Sequence, residues 1–124
     1  HKEEQDTYEQ FLVKKDVQFI EKIHQVIEEN LDNSDFNIDT IASTIGLSRS
    51  AFFKKLKSLT GFAPVDLVKE IRLNKSIELI KNSDMSISEI AFAVGFKDSG
   101  YFSKCFRKKY DQTPREYMNE WRKG

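Results

Sequence analysis

The sequence contains very few of the residues that most often carry catalysis or metal binding. It has one cysteine, Cys105, which excludes an internal disulfide. Its two histidines, His1 and His24, lie far apart in sequence and match no metal-site spacing. Cys105 falls within a helical pattern, where a small packing residue is a better interpretation than a nucleophile. We therefore predict no metal and no cofactor. We also reject an enzyme, because no nucleophile–base pair, paired-carboxylate signature or phosphate loop is present.

Long apolar runs are missing too. No stretch approaches the ~20 apolar residues of a membrane span, and no signal-peptide pattern is present. With 124 residues, 39% hydrophobic and 32% charged, the composition is that of one soluble domain, or two very small ones. The chain begins at His1 rather than at a methionine, so we interpret it as a piece of a longer protein.

The formal net charge is zero, but the charges are distributed unevenly along the chain. Residues 1–37 hold four Lys/Arg against ten Asp/Glu, a balance of −6, whereas residues 38–124 hold sixteen against ten, a balance of +6. A basic segment of this kind is compatible with a nucleic-acid-binding surface, although charge alone is weak support.

Glycine and proline are scarce, and they mark the ends of helices. Apolar residues recur at helical spacing in seven segments, which start near residues 16, 38, 49, 64, 87, 99 and 114. No segment alternates as a strand does, so the fold class is all-α. Capping signals support these starts, namely Asn37, Ser48, the pairs Ser86/Glu89 and Thr113/Glu116, and proline at positions 64 and 114.

An internal repeat organises these helices. Ile41-Ala42 and Gly46 match Ile90-Ala91 and Gly95 at an offset of 49, and one residue is inserted in the second turn. Beyond it the offset is 50, which pairs Phe52 with Phe102, Lys54 with Lys104, Leu56 with Phe106, and Pro64 with Pro114. A short apolar helix, a glycine turn and a basic helix form a helix-turn-helix, so the chain holds two such units.

The repeat predicts the following organisation. Residues 1–15 link to an upstream domain, and their apolar residues 8–13 are a candidate to fold back on the body. Residues 16–62 and 83–124 are the two helix-turn-helix subdomains, and residues 63–82 are a linker helix. A rod of about 19 residues is roughly 28 Å long. That length approaches the ~34 Å between successive major grooves on one face of DNA.

Further motifs give the chain a family likeness. In the first unit they are Ile41-Ala42, Gly46-Leu47-Ser48-Arg49-Ser50, Lys54, Leu56-Lys57, Gly61 and Pro64, and in the linker they are Ile71-Arg72-Leu73 and Leu79-Ile80. In the second unit they are Ile87, Ile90-Ala91, Val94-Gly95-Phe96, Tyr101-Phe102-Ser103-Lys104, Phe106-Arg107-Lys108, Thr113-Pro114 and Tyr117. With these motifs, residues 17–121 resemble the DNA-binding domain of the AraC/XylS family of bacterial transcription regulators. Asp111 departs from the family, where glycine is common.

The resemblance implies a homeodomain-like pair of helix-turn-helix units that binds double-stranded DNA in two successive major grooves and regulates transcription, with activation favoured. It implies RNA polymerase as a further partner and a location in the cytoplasm. Residues 19–30 together with the first unit also look like the C-terminal output domain of hybrid two-component sensors of Bacteroidetes. That likeness implies an upstream receiver or sensor, dimerisation of the full-length protein, and a membrane anchor outside this fragment, which itself makes no membrane contact.

Candidate DNA contacts lie on the second helix of each unit, whose first turns face base edges in a helix-turn-helix. Phe53 either touches a thymine methyl or packs, and Gly100 allows close approach rather than readout. The base-contact candidates are Arg49, Ser50, Phe53, Lys54, Ser99, Gly100, Ser103 and Lys104, and the phosphate-contact candidates are Ser48, Lys57, Arg107 and Lys108.

Two alternatives accompany this assignment. In the first, the lysines only form a solvent-exposed helix face, as lysines commonly do. In the second, the helical repeat is a protein-interaction module without DNA readout. Core packing is the better interpretation for the larger apolar residues, namely Ile41, Phe52, Ile90, Phe102, Phe106 and Trp121.

Overall fold

The computed structural model of the chain describes residues 2–122, with side chains from residue 7 onward. Within that range the chain is entirely α-helical, as predicted. None of the helices described is both long and apolar enough to cross a membrane. The seven helices are α1 (Lys2–Glu29), α2 (Ile38–Thr44), α3 (Arg49–Thr60), α4 (Pro64–Asn82), α5 (Ile87–Ala93), α6 (Ser99–Tyr110) and α7 (Pro114–Arg122).

Helix α1 is longer than the sequence pattern indicated. We predicted a start at Asp16, after a linker with no helix of its own, but the helix begins at Lys2. Apolar periodicity reports only the buried face of a helix. A polar extension rich in Glu, Gln and Lys needs no such face, because elongating an existing helix adds one hydrogen bond per residue. The link to an upstream domain stays a prediction, and His1 lies outside the described residues.

The apolar residues at the start of α1 do not fold back on the body. Tyr8 is 62% exposed and Val13 is 61% exposed, so that expectation is wrong. Val17, which we placed on the apolar stripe, is also 48% exposed. The buried part of the helix begins later, with Ile23.

The chain divides into two compact units that interleave along the sequence. The first takes the chain up to Glu29 together with Asn37–Val65. The second takes Asn30–Phe36 together with the chain from Asp66 onward, so most of α4 packs within the second unit. The predicted subdomain limits describe the sequence repeat, and they stay a prediction.

The first unit packs α1, α2 and α3 around Phe52, which is fully buried. Phe19 of α1 meets Phe52 edge to face, with ring centroids 6.5 Å apart. Lys55 Nζ lies 4.2 Å from the centroid of the Phe19 ring. Leu59, on the same helix, is 39% exposed and contributes less to this core. The remaining buried apolar residues of these helices are Ile23, Val26, Ile27, Ile41, Ala42 and Leu56.

The second unit is built around a chain of aromatic rings. Phe102 contacts Phe96 at 5.2 Å and Phe106 at 5.8 Å between ring centroids. Phe106 in turn packs on Tyr110 at 4.6 Å, and the Tyr110 hydroxyl donates to Asn74 Oδ1 at 2.9 Å. Burial raises the pKa of Tyr110 to about 12. Leu73, Ile80, Ile90, Ala91, Val94 and Cys105 complete the second-unit core.

Trp121 was predicted to lie in the core, and this prediction is wrong. Its side chain is 53% exposed, and the Lys81 ammonium lies 4.4 Å above its ring. Helix α7 packs on the second-unit core through Tyr117 and Met118 instead. The Arg122 guanidinium also donates to the carbonyls of Ile80 at 3.0 Å and Met85 at 2.8 Å. The helical spacing placed residue 121 correctly in the helix but not on its buried side. The other predicted core residues are buried.

The two turns repeat in their hydrogen bonds as well as in sequence. Leu47 N–H donates to Ala42 O, and Phe96 N–H donates to Ala91 O, both at 2.9 Å. The glycine before each of them has positive φ, 76° at Gly46 and 95° at Gly95. This is the Schellman arrangement, in which a left-handed glycine lets the chain turn back across the end of a helix.

The predicted caps are confirmed. Asn37 accepts from Thr40 N–H and Ser48 accepts from Ala51 N–H. Both capping boxes form, Ser86 with Glu89 and Thr113 with Glu116. Asp111, which replaces the usual glycine, adopts the left-handed conformation we expected, with φ of 60°.

The turn glycines yield a prediction for stability. A Cβ on Gly46 would meet nothing within 4 Å, but one on Gly95 would lie 2.2 Å from Leu31 O. Gly46→Ala should therefore cost about 1–2 kcal/mol from left-handed strain. Gly95→Ala should cost a further ~1–3 kcal/mol from overpacking against backbone. Urea denaturation measures both, and equal losses would contradict the close contact.

The capping boxes yield a prediction for pH. Hydrogen bonds from Ser86 lower the pKa of Glu89 below its ordinary 4.5, and those from Thr113 do the same for Glu116. The folded state favours the charged carboxylates, so their contribution is present above pH 4.5 and is lost as the pH falls through the lowered values.

The test is the double variant Glu89→Gln/Glu116→Gln, whose melting temperature should fall less steeply with acid than that of the wild type. Glu120→Gln, an exposed residue outside both boxes, is the control. An identical acid slope for the double variant and the wild type would rule the effect out.

Candidate nucleic-acid interface

Helix α3 has one buried side and one exposed side. Phe52 and Leu56 are fully buried, which turns the positions between them outward. Phe53 is 47% exposed, so its ring is accessible to a ligand rather than packed in the core. Arg49, Ser50, Lys54 and Lys57, the other candidates on this helix, are all exposed.

Helix α6 repeats this arrangement. Phe102, Cys105 and Phe106 are buried, which directs the intervening positions outward. Ser99 and Ser103 are half-buried, so each hydroxyl lies at the edge of the exposed side. Gly100, Lys104, Arg107 and Lys108 are exposed.

Four of the candidates on each helix share one face. Ser50, Phe53, Lys54 and Lys57 stand at i, i+3, i+4 and i+7, a spacing that keeps side chains on the same side of a helix. Gly100, Ser103, Lys104 and Arg107 stand at the same four positions 50 residues later. Each helix therefore presents a lysine in its middle and a second cation one turn on. Within each unit, these four candidates therefore lie close together on the helix surface.

A negative charge, the carboxylate of Asp98, lies at the start of α6, and no role was predicted for it from the sequence. Asp98 caps this helix, and its Oδ1 accepts from Gly100 N–H at 2.6 Å and from Tyr101 N–H at 3.1 Å. Those two amides are therefore not free to hold a phosphate. The signal was present in the sequence, because aspartate just before a helix is a favoured N-cap.

The start of α3 is neutral at its cap. Ser48 Oγ accepts from Ala51 N–H at 3.2 Å, and the hydroxyl proton remains for an outside acceptor such as a phosphate. Arg49 Nη1 lies 3.4 Å from Asp39 Oδ1, and both side chains are largely exposed. Such a pair is weak in water, so it leaves Arg49 able to exchange its partner for DNA.

Some basic residues are engaged inside the protein. Lys109, which follows the two phosphate candidates of α6, binds Glu70, and burial lowers the pKa of Lys109. A hydrogen bond with the Tyr101 hydroxyl raises the pKa of Lys69. The number of lysines and arginines in the sequence thus overstates the positive charge available to a ligand. For the proposed surface, that charge comes from the exposed lysines and arginines of α3 and α6. Among the described residues, no group of three His, Cys, Asp or Glu is placed to hold a metal ion.

Comparison with known proteins agrees with this geometry. The model of a family described as a helix-turn-helix domain matches residues 41–120. An AraC-type DNA-binding transcriptional regulator from Chromobacterium violaceum is 29% identical, with a TM-score of 0.74, over 80% of this chain and 88% of that one. The DNA-binding domain of the global transcriptional factor AdpA, solved with a target DNA, is 28% identical, with a TM-score of 0.76, over 84% and 92%.

A much larger protein is also similar to this chain. Histidine kinase P4 of Formosa agariphila is 38% identical over 106 residues, which is 86% of this chain but only 8% of the kinase. The family match covers more than half of the chain, and the fold is that of DNA-binding domains rather than of enzymes. The chain belongs to the AraC-type helix-turn-helix family, whose domains bind DNA and regulate transcription.

Proposed function

We propose that this chain reads a specific double-stranded DNA sequence through the exposed faces of α3 and α6. The observation that supports this most is the matched pair of faces, each with a lysine (Lys54 or Lys104) opposite a fully buried phenylalanine. A lysine that projects from a rigid helix donates to guanine O6 and N7. A solvated face with no function would not need the same four positions in both repeats.

The side chains divide into two roles. Positions nearest the helix starts reach base edges, and these are Arg49, Ser50, Phe53, Lys54, Ser99, Gly100, Ser103 and Lys104. The cap hydroxyl of α3 and the cations of the later turns bind phosphates and fix the register, and these are Ser48, Lys57, Arg107 and Lys108. The Asp98 carboxylate, placed at the start of α6, keeps phosphate away from that end and accepts from a cytosine amino group.

The proposed site on DNA is asymmetric. Two different readers in one chain call for two different short elements, about one helical turn apart, in successive major grooves. A single copy of the chain then needs no palindrome. The repeat and the 19 residues of α4 support this arrangement.

The proposed setting is the output end of a larger cytoplasmic sensor or response regulator that activates transcription. Support comes from the histidine kinase relative, of which this chain spans 8%. In that setting an upstream receiver or sensor controls dimerisation, and RNA polymerase is the downstream partner. A membrane anchor, where there is one, belongs to the rest of the protein.

DNA binding by this route should depend steeply on salt. With about four phosphates neutralised, affinity should fall about 10²-fold between 50 and 200 mM salt. Fluorescence anisotropy on a promoter duplex of the source organism measures this fall. Affinity that stays flat over the same range would favour a protein-interaction module instead.

Two lysines of α6 should behave differently. Lys104→Ala should cost about 1–3 kcal/mol on the cognate sequence and almost nothing on random DNA, because it removes a base contact. Lys108→Ala should weaken all sequences alike and reduce the salt slope by about one, because it removes a phosphate contact.

Both lysines are exposed, so neither substitution should change the melting temperature. Affinities for cognate and random duplexes, measured at one salt concentration, separate the two roles. Equal losses on the two duplexes for Lys104→Ala would remove it from the readout face.

A further inference from the structure

The connection between α1 and α2 belongs structurally to the second unit. Asn30–Phe36 lies in sequence between two helices of the first unit but packs with the second. Leu31 contacts the second-unit core. The connection is also an ordered turn, because Asp35 N–H donates to Asn33 Oδ1 at 3.0 Å and Phe36 N–H donates to Asn33 O at 3.1 Å.

One guanidinium joins this connection to the turn that precedes α6. Arg72 of α4 donates from Nη1 to Gly95 O at 2.9 Å and from Nη2 to Asn33 O at 3.2 Å. Its buried Nε has no hydrogen-bond partner among the described residues, and burial lowers the pKa of Arg72. The arginine therefore bears a desolvation cost, and its hydrogen bonds go to two carbonyls on separate segments.

Two further contacts fall at the same place. The Leu31 carbonyl approaches Gly95 so closely that a Cβ there would lie 2.2 Å away. Lys97 Nζ lies 3.0 Å from Asp35 Oδ1. Lys97 is the residue by which the second turn is longer than the first, since Phe96 aligns with Leu47 and Asp98 aligns with Ser48. The contacts thus converge on residues 95–97, directly before the cap of α6.

We propose that Arg72 is a positioning residue for DNA reading by α6, and that it acts by clamping the α5–α6 turn to the α1–α2 connection. The clamp fixes where α6 starts, and so where Ser99, Ser103 and Lys104 meet the bases. Because the connection leads directly out of α1, this clamp also gives a change in α1 a route to the second reader. The inference rests on the proposed readout by α6.

The chain supplies a matched control. Arg122 is another guanidinium of the second unit that donates to backbone carbonyls, those of Ile80 and Met85, but it does not touch the turn before α6. Its loss should destabilise the unit without a particular effect on α6. Arg72→Lys is the conservative variant, since an ammonium keeps the charge but not the planar fork that reaches two carbonyls.

The test uses a DNA site selected from a random pool by the wild-type chain, together with duplexes in which each element is scrambled in turn. The element whose scrambling matters less in Lys104→Ala than in the wild type is the one read by α6. Arg72→Ala should reduce discrimination of that element about five- to tenfold and leave the other element unchanged. Arg72→Lys should give a smaller reduction, and Arg122→Ala, measured at a temperature where it is folded, should leave discrimination of both elements unchanged.

Hydrogen exchange gives a second readout, because coupling between two sites is reciprocal. Cognate DNA should slow exchange at the amides of Asn33, Asp35 and Phe36 in the wild type, and should slow it less in Arg72→Lys. If Arg72→Ala does not fold, Arg72→Lys decides both measurements.

The outcomes separate the two proposals. If the Arg72 variants lower discrimination of both elements alike or of neither, if Arg122→Ala lowers discrimination of the α6 element as much as Arg72→Ala does, or if DNA leaves exchange in the connection unchanged, the clamp is overturned. If Lys104→Ala alters neither element, readout by α6 fails, and the exchange measurement alone then judges the clamp.

Discussion

Each reading helix depends on the burial of one of its sides. A helix of twelve residues is marginal in water by itself, and neither α3 nor α6 is rich in apolar residues. What holds them is a fully buried phenylalanine, Phe52 or Phe102, with one more large apolar residue a turn later. Removing such a side chain from a core typically costs about 3–5 kcal/mol. The same packing that keeps the helix folded also directs its lysines outward, so stability and function share one set of contacts.

That dependence explains why the outward positions of α3 and α6 could be predicted from sequence. Residues 52 and 102 fix which side is buried, and helical spacing then assigns the outward positions. The repeat supplied a second, independent copy of the same pattern. The turns were also predictable, because a glycine just after a helix commonly adopts the left-handed conformation that ends it.

What the sequence could not give are contacts between segments far apart in the chain. Arg72 and Asn33 are 39 positions apart, and no periodicity marks them as partners. Arg122 and Ile80 are 42 positions apart, and nothing in the sequence indicated that Arg122 rather than Trp121 makes contacts to the rest of the unit. The extension of α1 was missed for another reason, since a helix with no buried face leaves no apolar stripe to detect. Asp98, by contrast, was readable as a cap and was simply not assigned.

The inserted residue Lys97 has a consequence for how such a domain can change over generations. A duplicated segment begins as two equivalent copies, and a mutation elsewhere then affects both or neither. Lys97 forms an ion pair with Asp35 of the α1–α2 connection. The first copy has no residue aligned with Lys97, because Leu47 is followed directly by Ser48. A substitution in that connection is therefore expected to affect the turn before α6 and not the turn before α3.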